Sequence, residues 1–143
     1  MNNGDQVESA CAKLVIRFAN SADHRDYDCI MSLFTDDGIF ARPGASYAGK
    51  DQIRAYLESR PEKMTNRHLI SNFEITLLLE TAADGLAYYT VYRVFEAEAP
   101  LHEKPLKLDL PMAVGEFRTQ FRLEAEGWRL SRLEVCPVFA QQA

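Results

Sequence analysis

The residues best suited to chemistry lie in an acidic bend that follows the first predicted helix. Asp23 and His24 open it, and His68 lies farther along the chain. A neutral histidine, whose ordinary pKa is about 6.5, can act as a base near pH 7. A carboxylate bonded to one ring nitrogen fixes the tautomer and stabilises the imidazolium that forms. Spacing alone does not show that Asp23 and His68 meet, but as partners they could abstract a C–H or O–H proton. The remaining acids of the bend are better explained as caps and turn residues: Asp26, Asp28, Asp36 and Asp37.

Both members of this pair also have a structural interpretation. Asp23 could end the first helix or cap the second, and His68 could be a hydrogen-bonded strand residue. Strict strand alternation puts His68, Ile70 and Asn72 on the face opposite to Phe73. Either His68 points into a cavity together with Asn72, or a bulge changes the phase between His68 and Phe73.

Neither a metal nor an organic cofactor is expected. His24, His68 and His102 are scattered, whereas a metal site needs ligands at workable spacing with supporting carboxylates. His24 is expected to be exposed, and His102 falls in a polar stretch. Acid–base chemistry by a positioned histidine requires no cofactor.

The aromatic residues are more numerous than hairpin packing demands, so some are expected to line a pocket for a flat apolar ligand. A tyrosine hydroxyl there could polarise a substrate carbonyl, as Tyr47 or Tyr89 would. Arg93 and Arg132 could reach the cavity mouth or pair with a surface acid, and the surface pair is favoured. The predicted substrate-binding residues are Tyr27, Phe40, Tyr47, Tyr89, Phe117 and Arg132.

The length and composition limit the number of domains, the kind of partner and the compartment that can be expected. The 143 residues suit one domain covering 1–143, and the net charge of -5 argues against nucleic acid as the main partner. The three cysteines show no CxxC spacing and are expected to be idle thiols. No signal peptide or membrane-spanning run is apparent, so we expect a reducing cytoplasm without membrane association.

The order of predicted elements indicates an α+β fold. Helices are predicted over 6–21, 27–34 and 50 or 51 to 59, with Asp26 as a possible cap of the second. A turn over 36–38 leads to a short strand. A strongly twisted antiparallel sheet can curl around the helices and leave an internal cavity. The predicted strands cover 39–41, 68–80, 86–97, 112–124 and 128–138, with turns at 83–85 and 126–127 and an exposed polar excursion over 100–111.

Five landmarks occur in an order that resembles the SnoaL-like branch of the NTF2-like superfamily. They are Ala-x-x-x-Asp-x-Arg-Asp-Tyr-Asp from Ala19, Leu-Phe-Thr-Asp-Asp-Gly over 33–38, Gly-Lys at 49–50, Asn-Arg-His-Leu-Ile-Ser-Asn over 66–72, and Gly-Trp-Arg-Leu over 127–130. The resemblance covers nearly the whole chain. It implies a cone in which three N-terminal helices pack against a curved, mostly antiparallel sheet.

The site pattern is most similar to that of scytalone dehydratase and of the hexachlorocyclohexane dehydrochlorinase. The resemblance implies that Asp23 orients His68, and that the protein is a cofactor-independent lyase or isomerase acting on a small hydrophobic molecule. Such a sheet leaves a wide outer face whose exposed apolar residues need cover, so a homo-oligomer is expected, a dimer first and a trimer second.

Two alternatives stay open at this point. The first is a non-catalytic small-ligand-binding or assembly module similar to the small subunit of ring-hydroxylating dioxygenases. The second is an isomerase with an aspartate base on the sheet, which is less favoured because the long strands offer Glu74, Glu96 and Glu116 but no matching aspartate.

Overall fold

The structure, a computed structural model, describes residues 3–95 and 105–141. It confirms the α+β class, with three helices packed against one curved sheet that does not close into a barrel. The helices are α1 (Asn3–His24), α2 (Tyr27–Leu33) and α3 (Lys50–Glu58); the strands are β1 (Phe34–Arg42), β2 (Ala45–Ala48), β3 (Thr65–Leu79), β4 (Ala82–Val94), β5 (Ala113–Glu124) and β6 (Gly127–Ala140).

The sheet order is β2-β1-β6-β5-β4-β3, and only the β1–β6 pair is parallel. α1 buries Val7, Cys11, Val15 and Phe18, which recur at helical spacing and face the sheet. These side chains pack against the inner residues of β5 and β6, including Phe117. The core therefore lies between α1 and the concave face of the sheet.

The first long hairpin turns earlier than the sequence predicts. Its turn is at residues 80–81, where Leu79 pairs with Ala82, and Gly85 lies inside β4. A Cβ on Gly85 would lie 2.5 Å from Thr119 Oγ1 and 2.8 Å from the Ile75 side chain. This glycine thus allows close packing inside the sheet rather than forming a turn.

The first strand is longer than predicted. β1 begins at Phe34, and residues 36–38 form an irregularity within it rather than a turn that precedes it. Strand β2 was not predicted, and it pairs with the end of β1. The predicted excursion falls partly on residues 96–104, which lie outside the described residues together with His102. Residues 105–111 contain neither helix nor strand.

A bulge in β3 answers the question of strand phase. The β3–β4 register shifts between Ser71 and Glu74, and Asn72 has a positive φ of 55°. The extra residue lets both His68 and Phe73 face the helices despite their odd separation. Of the two alternatives, the bulge that changes the strand phase between His68 and Phe73 is therefore correct.

The three cysteines are free thiols. Burial raises the pKa of the Cys11 thiol to about 12, so this cysteine is a packing residue of α1. None of the helices formed by the described residues is both long and apolar enough to cross a membrane.

Candidate functional site

Asp23 and His68 are in direct contact at the inner face of the sheet. His68 Nδ1 lies 2.6 Å from Asp23 Oδ1, and the His68 backbone N–H donates to Asp23 Oδ2 at 2.8 Å. The Asp23 side chain is only 3% exposed and that of His68 15% exposed. Since an ionised carboxylate only accepts, Nδ1 must carry the proton and Nε2 is left as the basic nitrogen.

The bend after α1 is fixed by arginine side chains that cross to the segment before β3. Arg25, with a positive φ of 58°, donates to the carbonyl oxygens of Pro61 and Met64 at 2.5 and 2.9 Å. Arg60 donates to the Ala22 carbonyl at 3.0 Å. These bonds tie the end of α1 to the start of β3, so Asp23, in the last turn of α1, reaches His68.

His68 opens onto a cavity of about 180 Å³ between the helices and the sheet. No hydrogen bond to its Nε2 is made by residues 3–95 or 105–141. The cavity wall is mainly apolar and aromatic. It is lined, among others, by Phe18, Phe40, Tyr56, Leu57, Tyr89, Val91, Met112, Phe117 and Val135.

Three of the predicted substrate-binding residues line this cavity: Phe40, Tyr89 and Phe117. Tyr89 and Phe117 stack with ring centroids 4.8 Å apart, and both rings lie beside the His68 imidazole. The Tyr89 hydroxyl makes no hydrogen bond within the described part of the chain. Burial raises the pKa of this tyrosine, so the group is a neutral donor at the cavity wall.

The other three predicted residues do not line the cavity, and their placement corrects the prediction. The Tyr27 hydroxyl donates to the Leu57 carbonyl at 3.3 Å and so joins α2 to α3. Tyr47 stacks on Tyr56 at 4.4 Å and supports the wall from outside. Arg132 lies on the outer face of the sheet, 3.4 Å from Glu134, because it pairs in register with outward Gln120.

Sequence reasoning missed most of the polar lining, which consists of Arg42, Arg60, Asn66 and Arg93 together with His68. Arg93 was expected to favour a surface acid. Instead it shares the inner face of β4 with Tyr89, and its Nε donates to Asn66 Oδ1 at 2.7 Å. Arg93 lies four residues after Tyr89 on the same strand, so strand alternation could have predicted that both face the cavity. Arg60 follows α3, where no such alternation indicates the direction of the side chain.

The remaining ionisable candidates lie away from the cavity. Glu116 pairs with Arg118 at 3.2 Å, and Glu74 is exposed, whereas Glu96 lies outside the described residues. His24 is exposed and contacts the Asn20 carbonyl. Within residues 3–95 and 105–141, no cluster of three or more histidine, cysteine or acidic residues could hold a metal ion.

Solved structures with the same fold include proteins related to both enzymes named above. Kfla4162 from Kribbella flavida has a TM-score of 0.81 at 18% identity, covering 98% of this chain and 96% of that chain. A candidate scytalone dehydratase from Novosphingobium aromaticivorans has a TM-score of 0.80 at 18% identity, covering 100% and 92%. A hexachlorocyclohexane dehydrochlorinase, LinA type 2, has 0.78 at 13% identity, covering 98% and 92%. At such identities the likeness shows the fold.

The family follows from the sequence itself. Curated proteins gave no significant match. The family model described as a SnoaL-like domain matches residues 6–134, which is most of the chain. The chain belongs to the SnoaL-like family, as its order of landmarks predicts.

Proposed function

We propose that the protein is a cofactor-independent lyase or isomerase in which His68 abstracts a proton from a small substrate in the cavity. One observation carries the proposal. His68 has its Nδ1 bonded to a buried carboxylate, and its ring lines an aromatic cavity. This is the arrangement that a general base requires.

The proposed step moves one proton and one electron pair. Nε2 of His68 takes a proton from a substrate carbon, and Asp23 stabilises the imidazolium that results. The electron pair of the broken C–H bond forms a double bond while the bond to the leaving group breaks, which is an elimination. A halide leaves with the electron pair of its own bond, whereas a hydroxyl leaves as water because the His68 imidazolium returns the proton to its oxygen. Alternatively, the pair is delocalised and a different carbon is reprotonated by the imidazolium, which is an isomerisation.

The aromatic wall supports such a reaction on a flat molecule. Phe117 and Tyr89 form a stacked surface beside the base, on which a planar substrate can lie. The Tyr89 hydroxyl, free of protein partners in the described residues, can donate to a carbonyl or leaving oxygen and stabilise developing charge.

A base in an apolar cavity can be tested without knowledge of the natural substrate. Nitrobenzisoxazole is a flat aromatic probe whose ring proton is removed as the N–O bond breaks, giving a nitrile and a coloured phenolate. We expect the protein to accelerate this ring opening, and His68→Ala to lower the rate by about 10² to 10⁴-fold because the base is lost. Added imidazole should restore part of the rate in this variant.

The control is His24→Ala, which removes an exposed histidine on the same bend. Its rate should equal that of the unaltered protein. Thermal unfolding should show that both variants remain folded. Turnover by folded His68→Ala at the original rate would exclude the base, and absence of turnover by the unaltered protein would favour the non-catalytic binding module.

A further inference from the structure

Three arginines converge on the cavity from different parts of the fold. Arg42 ends β1, Arg60 follows α3, and Arg93 lies on β4. Arg60 and Arg93 are half-buried, and Arg42 is exposed. A cavity for an uncharged apolar molecule has no need of half-buried guanidinium groups, because removing a charge from water is costly unless it finds a partner.

None of the three forms an ion pair within residues 3–95 and 105–141. Arg93 donates to the neutral amide of Asn66, and Arg60 donates to the carbonyl oxygens of Leu57 and Ala22. Arg42 lies over the Tyr56 ring, 5.3 Å from its centroid. All of these partners are uncharged, so the positive charges are oriented but not neutralised.

Four arginines outside the cavity behave differently. Arg54, Arg118, Arg122 and Arg132 each pair with at least one carboxylate, as expected in a chain of net charge -5. Acidic partners are therefore plentiful in this protein, and the cavity arginines lack them among the described residues.

The arginines also act on one another across the cavity. Burial, and then the positive charges of Arg42 and Arg60, lower the pKa of Arg93. The negative charge of Asp23 raises the pKa of Arg93, and Asp23 is the one carboxylate among the described residues with this influence. Asp23 is already bonded to His68. Three guanidinium groups against one carboxylate leave an excess of positive charge that a bound anion would neutralise.

The geometry points to a substrate that carries a carboxylate on a flat, aromatic or similarly apolar body. The carboxylate lies against Arg93 and its neighbours Arg42 and Arg60, and the body lies on the Phe117–Tyr89 surface. The planar fork of arginine matches the two oxygens of a carboxylate. The inference rests on the proposed function only for the location of the reacting carbon beside His68; binding of the acid does not depend on it.

The test compares two probes of the same shape by isothermal titration calorimetry. Naphthoate carries the carboxylate, and naphthamide is its uncharged counterpart. We expect naphthoate to bind at least roughly tenfold more tightly, since charge-assisted hydrogen bonds are about twice as strong as neutral ones. Arg93→Met should remove most of this preference, and Arg93→Lys should keep part of it because the charge remains.

Arg132→Met is the matched control, because Arg132 lies on the outer face with Glu134. It should leave the preference unchanged. Equal binding of the two probes, no binding of naphthoate, or a preference that survives in folded Arg93→Met would each overturn the inference. Should Arg93→Met fail to fold, Arg42→Met and Arg60→Met replace it, and an unchanged preference in both would have the same consequence.

The same experiment separates this inference from the proposed function. Folded His68→Ala should still prefer naphthoate, because the arginines are intact. A preference for naphthoate without His68-dependent opening of nitrobenzisoxazole would leave a binding protein for acids. If nitrobenzisoxazole opening depended on His68 but naphthoate were not preferred, the protein would have a catalytic base that acts on an uncharged substrate.

Discussion

Asp23 contacts His68 twice, and the two contacts have different consequences. The bond from the backbone N–H to Oδ2 joins the end of α1 to β3, and the bond from Nδ1 to Oδ1 selects the ring tautomer. The first contact is structural and would be available to any residue at position 68 except proline, which has no backbone N–H. Only the second requires a histidine, so the imidazole contact is the one that bears on function.

Replacing Asp23 by asparagine separates these two contacts. An asparagine can keep the backbone bond through its carbonyl oxygen, but its NH2 group can donate to Nδ1 and favour the tautomer with the proton on Nε2. We expect Asp23→Asn to lower kcat on nitrobenzisoxazole by about 10²-fold or more while KM changes little. Nitrogen-15 NMR of His68 should show the change of tautomer.

The matched control for this change is Asp26→Asn. Asp26 caps α2 by accepting from the Cys29 N–H, and asparagine caps helices equally well. Both variants remove one carboxylate from the same bend, but only Asp23→Asn touches the imidazole. Equal kcat in the two variants, or an unchanged tautomer in Asp23→Asn, would show that Asp23 does not act through His68.

At the scale of elements, the bulge in β3 decides which of its side chains share the inner face of the sheet. Without the extra residue at Asn72, His68 and Phe73 would face opposite sides of the sheet. The bulge therefore allows one strand to present a polar inner segment, Asn66 and His68, followed by an apolar one, Phe73 and Ile75. The catalytic proposal and the core packing depend on the same local irregularity.

The conformation of Asn72 gives a prediction about stability. Asparagine tolerates a positive φ, glycine adopts it freely, and a β-branched residue is strained there. We expect Asn72→Val to reduce the free energy of unfolding in urea by about 1 to 2 kcal/mol, and Asn72→Gly to change it by less than about 1 kcal/mol.

Ser71→Val is the control, since it places the same side chain on the neighbouring residue, whose φ is not positive. Its stability should stay within about 0.5 kcal/mol of the unaltered protein, as is usual for exposed positions. If Asn72→Val were no less stable than Ser71→Val, the positive φ would not be a constraint in solution.

The elements that the sequence predicts well are those with a strong local signal. The periodicity of α1, the cap at Asp26 and the α+β order were all readable in advance. The cavity lining was not, because it depends on which strand face turns inward and on where irregularities occur. Gly85 follows an Asp in a pattern typical of turns, although it packs inside β4. Residue type does not distinguish Arg93 from Arg132 as a cavity residue; only the strand register shows that Arg132 lies on the outer face.

At the scale of the whole molecule, the two faces of the sheet differ in their cover. The inner face is buried by the helices, while the outer face has polar and apolar parts. Ion pairs such as Arg118–Glu116 and Arg132–Glu134 occupy the polar part. The apolar part centres on a row across four strands, in which Thr90 joins three apolar residues and each residue pairs with the next: Leu69, Thr90, Val114 and Phe139.

This apolar row leads us to predict a homodimer formed through the outer face. Leu69 is 56% exposed, Tyr88 beside it 44% and Phe139 70%, and a second copy would cover such a patch with a matching one. We expect the combined change Leu69→Glu and Phe139→Glu to weaken the dimer roughly tenfold or more, because it places charges at the centre of the contact. Light scattering coupled to size exclusion measures the mass.

Gln120→Glu, on the polar part of the same face, should leave the dimer intact. A monomer for the unaltered protein, or a dimer that is indifferent to the double change, would rule out this face, and a trimer would place the contact elsewhere in the fold.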